Sequence, residues 1–223
     1  YTVFTSSYYL KMEDKNFIQI LQIVNRLPNF NYWVSYGSLL GLIRDGQLIE
    51  WDEDVDICIK KTANNLKLLE TISDKALSRG FTLNKSSTNY QFSRPGGRKI
   101  DFNILNPIKE AGEIFLDLEW KIYFVQCKLT KRVISRIFRQ VDKILPKKML
   151  VHWRSLATNL GYYGKLRYRT KSIWVDKTFK FKYGSQTVRL PYGYKSLLEG
   201  IYGADWKTPK KTKVWHEFGE EIS

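Results

Sequence analysis

Asp52, Asp54 and Asp56 recur at every second position of Trp51-Asp-Glu-Asp-Val-Asp-Ile57. On an extended strand such residues point to one face. Carboxylates set side by side repel unless a cation lies between them. Hard oxygen donors of this kind suit Mg²⁺ or Mn²⁺, which leave their remaining positions to substrate phosphates. Upstream, Gly37-Ser38 precedes the apolar run Leu39-Leu40-Gly41-Leu42-Ile43. This reads as a strand ending in a tight turn that opens a helix, whose first N–H groups would face an anion. A phosphate seat joined to a metal-binding strand is half of a phosphotransfer site. Three nearby residues have plainer readings. Arg44 suits a helix C-terminus opposing the macrodipole, Trp51 reads as a core aromatic, and Cys58, sharing the parity of Asp54 and Asp56, reads as a small buried hydrophobe.

These residues need a strand, a short helix and a second strand in that order. Tyr32 to Tyr36 reads as the first strand, Ser38 to Arg44 as the helix and Val55 to Lys60 as the second strand. Before them, Phe17, Ile20, Leu21, Val24 and Leu27 make the apolar stripe of a helix over 13–27, stopped at Pro28. After them, 64–77 is amphipathic, and 80–84 and 89–93 read as short strands. In Lys99-Ile-Asp-Phe-Asn-Ile-Leu105, Ile100, Phe102 and Ile104 alternate with Lys99, Asp101 and Asn103, which sets Asp101 on the polar face of a strand. Alternation continues over 113–130 as strands or a hairpin. Val133, Ile134, Ile137, Phe138, Val141, Ile144 and Leu145 then stripe a basic helix flanked by Lys131, Arg132, Arg136, Arg139 and Lys143, ending at Pro146.

The run Gly37-Ser-Leu-Leu-Gly-x-x-Arg44-x-Gly46, followed by Ile49-x-Trp-Asp-x-Asp-x-Asp-Ile57, resembles the LicD/fukutin family. Its members are phosphotransferases on a nucleotidyltransferase fold that move phosphocholine or a polyol phosphate from a CDP-activated donor. Glu50 departs from the family's usual Pro without removing a ligand. Ile100-Asp101 resembles the family's Ile-Asp pair, and the tail, with Pro191, a helix over 194–202, Gly203 and Trp206-x-x-Pro209, is similar to its closing element, nearest the fukutin branch. The resemblance covers residues 31–60, 97–107 and 183–210. It implies an α+β, nucleotidyltransferase-like core, a mixed sheet flanked by helices, over 14–107, with a basic, partly helical insertion at 108–182 and a closing strand-helix element at 183–210, all within one domain. It further implies Asp54, Asp56 and Asp101 as metal ligands and catalytic residues, Asp52 as an outer ligand, and Gly37, Ser38 and Arg44 as donor-phosphate contacts. The partners implied are a CDP-alcohol and a glycan or glycolipid acceptor.

Composition sets the outer limits. The 223 residues, 43% hydrophobic, are enough for a sizeable core. No run of eighteen apolar residues and no leader occurs, but the sequence starts at Tyr1, and an anchor ahead of it would place the protein on the cytoplasmic face of a membrane or in the Golgi lumen. Two Cys and two His make neither a disulfide scaffold nor a clustered zinc site. Residues 121–182 hold 17 Lys or Arg against Asp142 and Asp176, so this stretch accounts for the whole net charge of +15. Such a block calls for an anionic partner: a membrane surface, a phosphorylated acceptor or nucleic acid. A nucleotidyltransferase acting on RNA and a catalytically idle basic module are the rival readings. The Trp-Asp-x-Asp-x-Asp junction and the tail weigh against nucleic acid.

Overall fold

The computed structural model describes residues 15–123, 137–138, 140–160 and 163–209. In chain order its elements are α1 (Lys15–Val24), β1 (Tyr32–Val34), α2 (Tyr36–Arg44), β2 (Asp54–Lys60), α3 (Ala63–Leu77), β3 (Thr82–Lys85), β4 (Asn89–Ser93), β5 (Lys99–Glu110), β6 (Glu113–Tyr123), α4 (Lys147–Asn159), β7 (Tyr163–Lys171), β8 (Thr178–Tyr183), β9 (Gln186–Pro191) and α5 (Tyr194–Tyr202). The described residues form two compact units, one from 15–118 with 169–209 and one within 119–168.

In the first unit the stripe of α1 is buried as its spacing predicts, with Phe17, Ile20, Leu21 and Val24 at most 2% exposed. Strands run in the order β1-β2-β5-β4-β3, with the start of β6 beside β5. Only the β2–β5 pairing in the main run is parallel. A mixed sheet flanked by helices is the α+β architecture expected. Val55, Ile57 and Ile59 on β2 and Ile100, Phe102 and Ile104 on β5 all lie buried, as do Tyr90 and Phe92 on β4. That alternation pins the register, because a slip of one residue would turn every carboxylate into this apolar layer. The strand containing Asp101 runs five residues beyond the predicted Leu105, to a tight hairpin at Ala111 and Gly112. Both turn residues have left-handed backbone, φ 49° and 83°, as the favoured two-residue hairpin demands.

The closing element is tied to the start of the core. Arg189 of β9 donates to the Phe30 carbonyl at 3.1 Å, and Asn25 donates to the Thr187 carbonyl at 2.9 Å. Lys60, at the end of β2, bonds Ser172 and Asp176.

In the second unit, Trp153 of α4 packs on Phe138 with ring centroids 4.6 Å apart and donates its indole N–H to the Phe138 carbonyl. Arg154 holds Asp142 through two hydrogen bonds of 2.8 Å. Of the basic helix predicted over 133–145, residues 137–138 and 140–144 are helical, and 131–136 and 139 lie outside the described residues. α4 was not anticipated, although Met149, Trp153, Leu156 and Leu160 recur at helical spacing. Among the described residues no helix is long and apolar enough to cross a membrane.

Candidate active site

Parallel pairing of β2 with β5 sets Asp56 beside Asp101 and Cys58 beside Asn103. On the other side of β5, β4 sets Gln91 beside Asp101 and Asn89 beside Asn103. Paired residues share a sheet face, so Asp54, Asp56, Asp101, Asn103, Gln91 and Asn89 form one polar ladder opposite the apolar layer. The amides orient the acids. Asn103 Nδ2 donates to Asp56 Oδ1 at 2.9 Å, and its own carbonyl oxygen accepts from Asn89 Nδ2 at 3.1 Å. Gln91 Nε2 donates to both oxygens of Asp101, at 3.0 and 3.2 Å.

Burial and mutual repulsion make these carboxyls reluctant to ionise. Asp56, 8% exposed, is pushed well above the usual carboxylate range, first by burial and then by the charges of Asp54 and Asp101, with the Asn103 bond opposing. Asp101 is also raised, chiefly by burial, against the hydrogen bonds of Gln91 and Asn89. Asp52 is raised to about 7 by burial and by the charge and hydrogen bond of Asp54, with Arg98 opposing. Cys58 is fully buried as predicted, and burial together with Asp56 keeps its thiol protonated.

The helix α2 begins earlier than its spacing predicts. Ser35 is its extended N-cap, Tyr36 adopts a left-handed φ of 51°, and Gly37 and Ser38 lie within the first turn. The Leu39 N–H bonds the Ser35 carbonyl, so the N–H groups of Gly37 and Ser38 have no acceptor within the helix. Ser38 Oγ accepts the Asp56 N–H at 3.0 Å, which fastens this helix end to the carboxylate strand. Gly37 and Gly41 line the track along which the following loop returns. A Cβ at Gly37 would stand 2.5 Å from Asp52 Oδ2, and one at Gly41 would stand 2.6 Å from the Gln47 carbonyl oxygen and 2.8 Å from the Ile49 nitrogen. The buried Arg98 guanidinium donates to the Ile49 carbonyl at 2.7 Å, and the Lys99 N–H bonds the Glu53 carbonyl, holding the same loop against β5.

Asp52, Asp54, Asp56, Asp101, Gly37 and Ser38 therefore gather at one end of the sheet. Arg44 does not join them. It is the last residue of α2, eight positions and about 12 Å along the axis from Tyr36, and its guanidinium holds Asp45 at 2.7 and 2.8 Å. Trp51 is not a core aromatic: it is 52% exposed, because the loop turns it outward while Asp52 packs on Gly37. Asn89, Gln91, Arg98 and Asn103 were not anticipated. Asn103 shares the parity of Asp101 and was legible in principle, whereas Asn89 and Gln91 needed the strand register and Arg98 gave no local signal.

A hard divalent ion fits this donor set chemically. Four carboxylates, two of them buried, face one another with amides rather than cations bonded to Asp56 and Asp101. Among the described residues no three His, Cys, Asp or Glu side chains already close on one point. Like charges stand off from one another until something neutralises them.

Residues 29–109 match the family LicD/FKTN/FKRP, nucleotidyltransferase domain. Over these residues the chain resembles that family. The matched segment contains Gly37, Ser38, Arg44 and all four acids of the site, and the resemblance points to a transferase. Solved structures similar to the chain include the antibiotic-resistance factor ANT(2'')-Ia in solution, at 16% identity over 66% of this chain and 83% of that one, TM-score 0.32. The same protein in complex with adenylyl-2''-tobramycin matches at 16% identity over 65% and 87%, TM-score 0.32. Likeness at that level adds nothing to the assignment. No curated protein matches the chain.

Proposed function

We propose that the chain is a metal-dependent phosphotransferase that moves phosphocholine or a polyol phosphate, such as ribitol phosphate, from a CDP-alcohol to a hydroxyl of a glycan or glycolipid, releasing CMP. The observation that carries this reading is the meeting of the α2 N-terminus with the Asp56–Asp101 pair through the Ser38 to Asp56 hydrogen bond. Mg²⁺ or Mn²⁺ held by Asp54, Asp56 and Asp101, with Asp52 outside them, would offset donor phosphate charge and stabilise the CMP leaving group. The N–H groups of Gly37 and Ser38 would offer donors to a donor phosphate oxygen. The Ser38 hydroxyl, accepting from Asp56, keeps its own hydrogen to donate there. Asp101, held by Gln91, would take the proton from the attacking hydroxyl. Arg44 would reach a phosphate only by releasing Asp45, so its part in donor binding is the least supported.

The test is ligand-dependent thermal protection with Mg²⁺ present. CDP-choline or CDP-ribitol should raise the melting temperature above the effect of CMP or ATP. The net charge of +15 favours the rival, an RNA nucleotidyltransferase. ATP-dependent extension of an RNA primer, with no protection by any CDP-alcohol, would establish the rival instead.

A further inference from the structure

Six large apolar side chains of the second unit stand in solvent: Ile137, Ile144, Met149, Val151, Leu156 and Leu160, from 46% to 80% exposed. Within α4, the half-buried Trp153 and the buried Ala157 pack against Phe138. Met149, Trp153, Leu156 and Leu160, spaced i, i+4, i+7 and i+11, fall on one line of a helix with 3.6 residues per turn; Trp153 is covered by Phe138, while Met149, Leu156 and the C-terminal cap residue Leu160 are exposed. The sequence of this unit is one-sided in charge. Residues 119–168 hold 12 Lys or Arg against Glu119 and Asp142, a net of +10, and Asp142 is occupied by Arg154. Lys143 and Lys148 are exposed beside the apolar residues. A soluble polyanion is attracted by such charge but gains nothing from an apolar line, whereas a bilayer with anionic headgroups rewards both.

We propose that this unit docks on an anionic phospholipid surface, with Met149, Leu156 and Leu160 entering the headgroup boundary and Lys143 and Lys148 facing lipid phosphates. The proposal is independent of the phosphotransfer reading, and its test needs no donor. The full chain is sedimented with phosphatidylcholine liposomes that contain or lack phosphatidylserine, at low and high salt. It should bind only the anionic liposomes and release at high salt, since surface attraction is screened within about 8 Å at physiological ionic strength. Met149→Ser, Leu156→Ser and Leu160→Ser together should weaken liposome binding at least about tenfold while leaving binding to heparin, a soluble polyanion, unchanged. The single Leu156→Ser variant should show a partial loss, which guards against a folding defect in the triple variant. Lys143→Glu with Lys148→Glu should weaken both. The proposal is overturned if the wild type ignores anionic liposomes, or if the triple variant binds them as tightly as wild type. Gel filtration showing a dimer that the triple variant converts to monomer would assign the line to a second copy of the chain and overturn it equally.

Discussion

Asp56 has water on only 8% of its surface and Asp101 beside it in register, so its negative charge is held at a cost that a cation would remove. Asp56→Asn should abolish transfer, by about 10²-fold or more, while the metal-free protein keeps its fold and melts no lower. Full activity in that variant would remove Asp56 from the site. Asn103 acts through Asp56, and Asn103→Leu should weaken Mn²⁺ binding by about 10–100-fold in a titration followed by electron paramagnetic resonance. Unchanged affinity would reduce Asn103 to a packing residue. At this scale the acids were legible because alternation reveals a strand face, and the Ile-Asp resemblance singled out Asp101. The amides that orient them were not, since Asn89 and Gln91 acquire meaning only from pairing across β4 and β5.

The Gly-Ser-Leu-Leu-Gly helix and the loop after it act as one element. Gly41 faces backbone atoms of Gln47 and Ile49, which cannot step aside, whereas Gly37 faces only the end of the Asp52 side chain. Gly41→Ala should therefore destabilise the protein by ~1–3 kcal/mol in urea denaturation. Gly37→Ala should cost less stability but move Asp52 and lower activity. Equal destabilisation by both would contradict the returning-loop packing. The spacing revealed that a helix begins here, but not that it begins at Tyr36 or that its glycines serve a loop, because close approach of distant backbone leaves no periodic trace. The same limit explains Trp51, read as core on apolarity alone and turned outward by the loop.

Across the molecule, the sheet of the first unit was readable from alternation, while α4 in the second unit, whose Met149, Trp153, Leu156 and Leu160 repeat at helical spacing, was passed over among the basic residues around it in sequence. The site also sets how stability responds to pH. Asp52, Asp56 and Asp101 have folded-state values raised above the ordinary carboxylate range near 4, so the folded protein binds more protons than the unfolded chain as pH climbs beyond that range. Their destabilisation is absent in acid and grows through about pH 7, where Asp52 titrates. The melting temperature of the metal-free protein should fall between mildly acidic and mildly alkaline buffer, and Mg²⁺ should restore it mainly on the alkaline side; a melting temperature rising over that interval would refute the carboxylate cluster. The central claim, metal-dependent transfer from a CDP-alcohol, is tested most directly by chromatographic measurement of CMP released from CDP-choline and CDP-ribitol with Mg²⁺, with a chelator, and in Asp56→Asn. CMP should appear with one of these donors, vanish with the chelator and vanish in the variant. Release that persists through both, or no release from either donor by a protein that extends RNA with ATP, would contradict it.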